Sequence, residues 1–222
     1  GVRPVNRYDG YMSEAPRIHS LELLGGHPAL DFVNTLDWRD REPEARGAEE
    51  CLVSFHALLT WARRPGWVRA AEEAAFAATA RRAPQVADAV VRDAIALREA
   101  IYGLLDAARA EHRPTSAQLK QINRWLARAP VIPRLTAKAG GYSWADLQPE
   151  AGPAALLTPL ALRAGELLAS GQLHRVSCCA GPGCGWLYLD TSPNRRRRWC
   201  SMEGCGNRAK AKRHYLRNKA SS

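Results

Sequence analysis

The chain has 222 residues, 46% of them apolar and 24% charged, and a net charge of +10. That balance excludes a disordered chain; the nearest approach to a membrane span, residues 154–169, is broken by Pro159, Arg163 and Glu166, short of the ~20 apolar residues needed. No apolar stretch follows Arg3 and Arg7, so no secretory signal is expected, and a soluble cytoplasmic protein is the reading.

Residues 1–19 are read as an N-terminal tail, and the first pattern comes after it. Past a turn at Gly25, Gly26, His27 and Pro28, the residues Asp31, Phe32, Val33, Leu36 and Trp38 form a short apolar segment. Residues 52–64 read as a helix, with Phe55, Leu58, Leu59 and Ala62 at helical spacing and Pro65-Gly66 as the stop. Residues 70–82 are alanine-rich and favour helix. Val90, Ala94, Leu97, Ile101, Leu104 and Ala108 keep one stripe apolar and predict the clearest helix. Thr115 and Gln118 form a capping box ahead of Leu119, Ile122 and Leu126. Residues 131–136 and 142–145, flanking Ala139, Gly140 and Gly141, read as a small hairpin, with Pro133 confining its first strand to an edge. Residues 152–170 return to helix, kinked or started at Pro159 and ended by Gly171.

The C-terminal quarter differs in kind. Five of the six cysteines fall within 28 positions, and eleven basic residues face only Asp190 and Glu203 from Arg175 onward. Nearly all the net charge therefore sits in the last 48 residues. Clustered cysteines in a chain with no export signal read as a metal site, not a disulfide framework. Cys179-x4-Cys184 and Cys200-x4-Cys205, fifteen residues apart, supply the four soft ligands of a zinc tetrahedron. Cys178 is surplus; it would lengthen the first loop by one residue, whereas Cys179 makes both loops equal. Residues 186–189 read as a strand, 190–194 as its turn, 196–199 as the return strand, and Cys205 opens a helix over 206–217. Knuckle, hairpin and helix make a treble-clef finger. A closed four-thiolate site leaves no open coordination position, so one zinc ion is expected to hold structure, and the module is too small to fold on its own core.

The charge suggests a polyanionic partner. Arg195, Arg196, Arg197 and Arg198 occupy the turn and strand start, where planar guanidinium forks suit phosphate. On the helix, Lys210, Arg213 and Arg217 share one face and Arg208 and Lys212 another, leaving Ala211 and Tyr215 to pack on the hairpin against Trp186 or Trp199. Asn207 reads as a cap of the helix's first turn more than as a reader of adenine.

These segments carry a resemblance. Residues 184–192, Arg197-Arg198-Trp199-Cys200-Ser201-Met202 and residues 205–215, with Cys205-Gly206-Asn207-Arg208 at their start, closely resemble the bacterial CGNR zinc-finger family. Upstream, Gly26-His27-Pro28-Ala29-Leu30-Asp31-Phe32-Val33-Asn34-Thr35 resembles the start of the helical ABATE domain that precedes that finger. The resemblance spans about residues 20–217, with Cys178 a departure from the pattern, and implies a stress-induced transcription regulator. The expected architecture is mainly α: a helical domain over 20–173 with a small β-hairpin, then a C-terminal treble-clef-like zinc finger over 174–222.

A near-neutral body beside a basic finger suggests a sensor or dimerisation unit attached to a reader. Asp31, Asn34, Thr35 and Trp38 are the candidate ligand-site residues, since polar groups at this spacing project to one side; the same groups could instead cap local backbone and hold the Gly25-Gly26 turn. No phosphate-binding glycine loop or nucleophile pair is recognisable, so no enzyme is expected. Two function classes stand. One is a DNA-binding regulator, responsive to a small-molecule effector and able to form a homodimer. The other is an RNA-associated or protein-docking zinc module without a sensing role.

Overall fold

The computed structural model describes residues 18–40, 47–64, 67–68, 70–128, 135–138, 141–144 and 152–220. The short apolar segment is a helix, α1 (Pro28–Val33), whose start is fixed by Pro28 in its first turn and by His27, whose Nδ1 accepts from the Ala29 N–H at 3.2 Å. It buries Ala29, Leu30, Phe32 and Val33. A two-residue ladder follows, β1 (Leu36–Asp37) against β2 (Glu49–Glu50), antiparallel, with Leu36 opposite Glu50.

Helix α2 (Phe55–Arg63) begins three residues later than the periodicity predicts, because the Ser54 hydroxyl accepts from the Ala57 N–H at 3.1 Å and sets the cap there. Leu52 stays buried ahead of it. Helix α3 (Ala70–Arg82) matches its predicted range and buries Phe76 and Ala80.

Helix α4 (Pro84–Arg109) is the central strut, and its predicted stripe from Val90 to Leu104 is buried. Ala108 is exposed and Leu105 and Ala107 are buried instead, since a repeat of 3.6 drifts off a strict four–three alternation. The capping box is formed as predicted at the head of α5 (Ser116–Leu126): Gln118 N–H donates to Thr115 Oγ1, and Thr115 N–H donates to Gln118 Oε1.

The hairpin is present as β3 (Leu135–Lys138) paired with β4 (Gly141–Trp144), Leu135 opposite Trp144. The rest of its predicted span, including Pro133, lies outside the described residues. Helix α6 (Leu157–Ala169) follows a 3₁₀ turn at Pro153–Leu156. Pro159 therefore sits in the first turn, where a missing N–H costs nothing, and the helix ends where Ser170 Oγ donates to Leu167 O at 2.8 Å. Among the described residues, no helix is long and apolar enough to cross a membrane.

Inside this frame, one cation is buried among the described residues. Arg98, 1% exposed at the middle of α4, donates to both oxygens of Glu50 (2.6 and 2.7 Å), to Glu99 (2.9 Å) and to Thr35 Oγ1 (3.3 Å). Glu99 in turn accepts from Arg39 at 2.6 and 3.1 Å, and Arg39 lies over the Tyr102 ring. Although burial pushes Glu99 upward, Arg39 and Arg98 hold its carboxyl below the usual range. The network straps residues 35–39 to α4, which matters because this strap touches the finger.

Asp31 behaves in the opposite sense. Its Oδ1 accepts from Gly25 N–H at 2.8 Å, but burial dominates and pushes its pKa up to about 6. The folded state thus binds a proton that the unfolded chain releases at about pH 3.8. Stability from this group is fully present below about pH 3.8 and is lost as pH rises from there through about 6. Asp31→Asn keeps the acceptor and removes the charge, so it is expected to raise the melting temperature at pH 7.5 and to change nothing at about pH 3. Calorimetry of the two chains at both pH values checks this, and an equal effect at both would contradict it.

Candidate metal centre and nucleic-acid interface

The C-terminal segment opens with an antiparallel pair, β5 (Val176–Cys178) and β6 (Leu187–Leu189), Val176 opposite Leu189 and Cys178 opposite Leu187. This corrects the expected hairpin, in which β6 pairs with residues 196–199. Those residues form no strand. Asn194 and Arg195 both take positive φ (60° and 51°) and turn the chain away. Backbone groups of the returning segment are then used elsewhere: Tyr188 hydroxyl donates to Arg197 O at 2.6 Å, and Arg197 N–H donates to Asp190 Oδ2 at 3.1 Å. Asp190, 1% exposed, also accepts from the Ser192 N–H and hydroxyl. Burial pushes its carboxyl up, yet these Ser192 and Arg197 bonds hold it below the usual carboxylate range.

The tight knuckle between β5 and β6 brings Cys179 and Cys184 together. Cys184 N–H donates to Gly181 O, Gly183 has φ 73°, and a Cβ on Gly181 would lie 2.8 Å from Cys205 Sγ, so the loop closes only with glycine there. Cys200 follows the 194–199 excursion. Cys205 lies in a π-turn, Met202–Gly206, whose start is capped by Ser201 Oγ accepting from Gly204 N–H at 3.0 Å. Helix α7 (Asn207–Ala220) continues from it, and Asn207 Nδ2 donates to Glu203 O, fastening the turn.

The sulfurs of Cys179, Cys184, Cys200 and Cys205 all lie within 4.8 Å of one another, and all four residues are buried. Cys184 Sγ is 3.8 Å from Cys200 Sγ, which is 3.6 Å from Cys205 Sγ. A zinc tetrahedron with bonds of about 2.3 Å has edges of about 3.8 Å, so the residues fit that ion. Cys178 stands outside the quartet. Crowding sets the thiols against one another: hydrogen bonding with Cys184 drives Cys179 down toward thiolate, and sharing with Cys179 drives Cys184 and Cys200 up.

The finger is not a separate module. Its Leu187, Tyr188 and four cysteines belong to the same buried cluster as the body's helices. Asn34 makes the join: its Nδ2 donates to Leu187 O and its Oδ1 accepts from Leu187 N–H, both at 2.9 Å, with Asn34 2% exposed. Leu189 N–H donates to Gly25 O and Arg39 N–H to Cys184 O. The four residues read as a possible ligand site therefore sit at this junction. Asn34 faces β6, Thr35 is fully buried against Phe32 O and Arg98, Asp31 holds the Gly25 turn, and Trp38 lies beneath Arg208. The reading in which Asp31 holds local backbone matches this geometry.

The basic residues divide into two groups. Arg197 turns inward: it lies 4.3 Å over the Tyr188 ring and donates to Trp199 O, Leu24 O and Cys200 O, welding finger to body. Arg208, itself exposed, reaches back to the finger, donating to Cys205 Sγ at 2.9 Å and lying 4.6 Å over Trp38. Counting charge does not reveal either of these contacts. Arg195, Arg196 and Arg198 are exposed at the 194–199 excursion, as are Lys210, Lys212, Arg213 and Arg217 on α7. Among the described side chains of α7, none is buried. Tyr215, 65% exposed, and Ala211 do not pack on the hairpin, because the helix leaves the finger after Ala209.

The chain thus joins a helical body, through a shared core, to four cysteines able to hold a metal ion and to an exposed basic helix. Residues 26–171 match the ABATE family, described as "Putative stress-induced transcription regulator", and residues 175–218 match the CGNR zinc finger. The chain belongs to the ABATE family and carries a CGNR finger at its C-terminal end. No curated protein matches it.

Proposed function

We propose that the chain is a transcription regulator in which one structural zinc ion, held by Cys179, Cys184, Cys200 and Cys205, presents α7 to duplex DNA. The observation that carries this reading is α7 itself: a 14-residue helix, basic and exposed from Lys210 onward, projecting from a rigid anchor. An isolated helix of this length is marginal in water, and a cationic one gains its order at a polyanion. Its diameter of about 10–12 Å suits the B-form major groove, about 12 Å wide, whereas the A-form major groove is too narrow. Arg195, Arg196 and Arg198 would meet the flanking phosphates. A single finger offers little contact area, so useful affinity calls for a homodimer formed through the body, whose helices remain the proposed seat of effector binding.

A second reading has one observation in its favour. Exposed Tyr215 is a stacking surface of the kind single-stranded RNA uses. The two readings separate in a salt titration by fluorescence anisotropy on duplex DNA and on a matched single-stranded RNA. With Arg197 half-buried and Arg208 turned to Cys205, the seven exposed basic residues named above are left; if about five of them meet phosphate, log affinity for duplex should fall against log salt with a slope of about −4.5. Arg196→Ala should flatten the slope by about one unit, and Arg197→Ala should instead lower the melting temperature. Tighter RNA binding at every salt concentration would favour the second reading.

A further inference from the structure

Four thiolates outweigh the charge of one zinc ion by two, so a buried centre of this kind depends on donors aimed at its sulfurs. Three are in place. Gly181 N–H and Cys200 N–H donate to Cys179 Sγ at 3.4 and 3.2 Å, and the Arg208 guanidinium donates to Cys205 Sγ at 2.9 Å. Among the described contacts to these sulfurs, Arg208 is the charged donor, and charge-assisted hydrogen bonds are about twice as strong as neutral ones.

Arg208 reaches that sulfur from a defined seat. Its guanidinium lies 4.6 Å over the ring of Trp38, which belongs to the body. Trp38 is held in the left-handed region at φ 55°, a conformation costly for a bulky residue, with its N–H donating to Asp37 Oδ1 at 2.8 Å. The next residue, Arg39, is tied to Glu99 of α4 and donates its N–H to Cys184 O at 3.2 Å. A Cβ on Gly185 would lie 2.8 Å from Arg39 Cβ, so the strap is pressed directly against the knuckle.

We propose that Arg208 is a positioning residue of the metal centre: seated on Trp38, it neutralises and shields the Cys205 sulfur and fixes the start of α7, so that the body governs the finger through this contact. The Cys205-Gly206-Asn207-Arg208 run then has one structural logic. Cys205 is the ligand, Gly206 closes the π-turn beneath the Met202 side chain, Asn207 fastens that turn to Glu203 O, and Arg208 guards the sulfur. The inference rests on the metal reading above and is independent of the DNA reading.

The test uses the full chain loaded with cobalt(II) for spectroscopy and with zinc for chemistry. Removing a hydrogen bond from a metal-bound thiolate raises the energy of its lone pair. Arg208→Ala should therefore shift the sulfur-to-cobalt charge-transfer band to longer wavelength, and speed alkylation of Cys205 by iodoacetamide about tenfold, read by peptide mass spectrometry. Arg208→Lys should restore part of the protection, since it keeps the charge and loses the planar stack. Trp38→Ala should reproduce the Arg208→Ala spectrum in weaker form, and Trp38→Phe, which keeps a ring and disturbs the fold least, should stay near wild type. An unchanged band and unchanged alkylation in Arg208→Ala would overturn the proposal. If that variant instead loses about one unit of salt slope on DNA with its spectrum intact, Arg208 is a phosphate contact and the proposal fails while the DNA reading stands. A wild-type chain that takes up neither metal would overturn both the proposal and the metal reading.

Discussion

Cys200→Ser is expected to lower the melting temperature of the entire chain by about 10 °C or more, in a single transition. Cys200 Sγ sits within 3.8 Å of Cys184 Sγ and 3.6 Å of Cys205 Sγ, so its loss breaks the quartet at its middle. Structural zinc contributes an apparent ~10–16 kcal/mol in finger peptides at neutral pH, as much as the whole stability of an ordinary domain. The effect spreads because Leu187 and Tyr188 are buried in the cluster that holds α1 and the body's helices. Losing even a few kcal/mol there moves the melting temperature by about 2–4 °C per kcal/mol at this size. Calorimetry of the variant, and of the wild type with a chelator, checks the expectation. Two separated transitions, with the upper one at the wild-type temperature, would show that finger and body fold independently.

Asn34→Ala is expected to cost about 2–6 kcal/mol. The side chain satisfies both backbone groups of Leu187 in a buried position, as a third strand would. Alanine leaves a donor and an acceptor buried without it, at about 1–3 kcal/mol each. Asn34→Asp offers no relief, since a carboxylate accepts the N–H but meets the carbonyl with the wrong polarity. Urea unfolding of the three chains measures this. A loss under about 0.5 kcal/mol for Asn34→Ala would mean that the pair contributes nothing at the junction.

Both predictions depend on contacts that sequence patterns do not carry. Asn34 and Leu187 are 153 positions apart, and nothing local to either marks the other. Helices were legible wherever a stripe of apolar residues repeated or a cap was spelled out, as at Thr115 and Gln118. The four clustered cysteines were legible for a similar reason: a ligand set must be written into the chain as residue type and spacing. The partner of β6 was not. Val176–Cys178 is three residues long and has no period to read, whereas residues 196–199 read as a return strand only from their place after a turn, and are turned aside by Asn194 and Arg195.

The arginines show the same limit from the other side. Arg197 and Arg208 have the same composition signal as Arg196 and Arg198, and charge counting assigns all of them to phosphate. The distinguishing feature is an acceptor in reach of each, the carbonyls of Trp199, Leu24 and Cys200 for Arg197 and the Cys205 sulfur for Arg208, whereas among the described contacts Arg198 has only the Trp199 ring. Asp190 reads as a turn residue, although one of only two acids in so basic a segment is a usable signal: a carboxylate there has donors to collect, and it collects those of Ser192 and Arg197.

The most direct measurement of the central claim, that a zinc-anchored α7 is the surface offered to duplex DNA, is amide hydrogen exchange of the zinc-loaded chain with and without a duplex. Amides of α7 should exchange quickly in the free chain, because nothing from Lys210 onward is buried. On duplex binding, protection should appear in residues 207–220 and in the 194–199 excursion, and the body's helices should stay unchanged. Protection that leaves α7 untouched and falls on the body's helices instead would contradict the account.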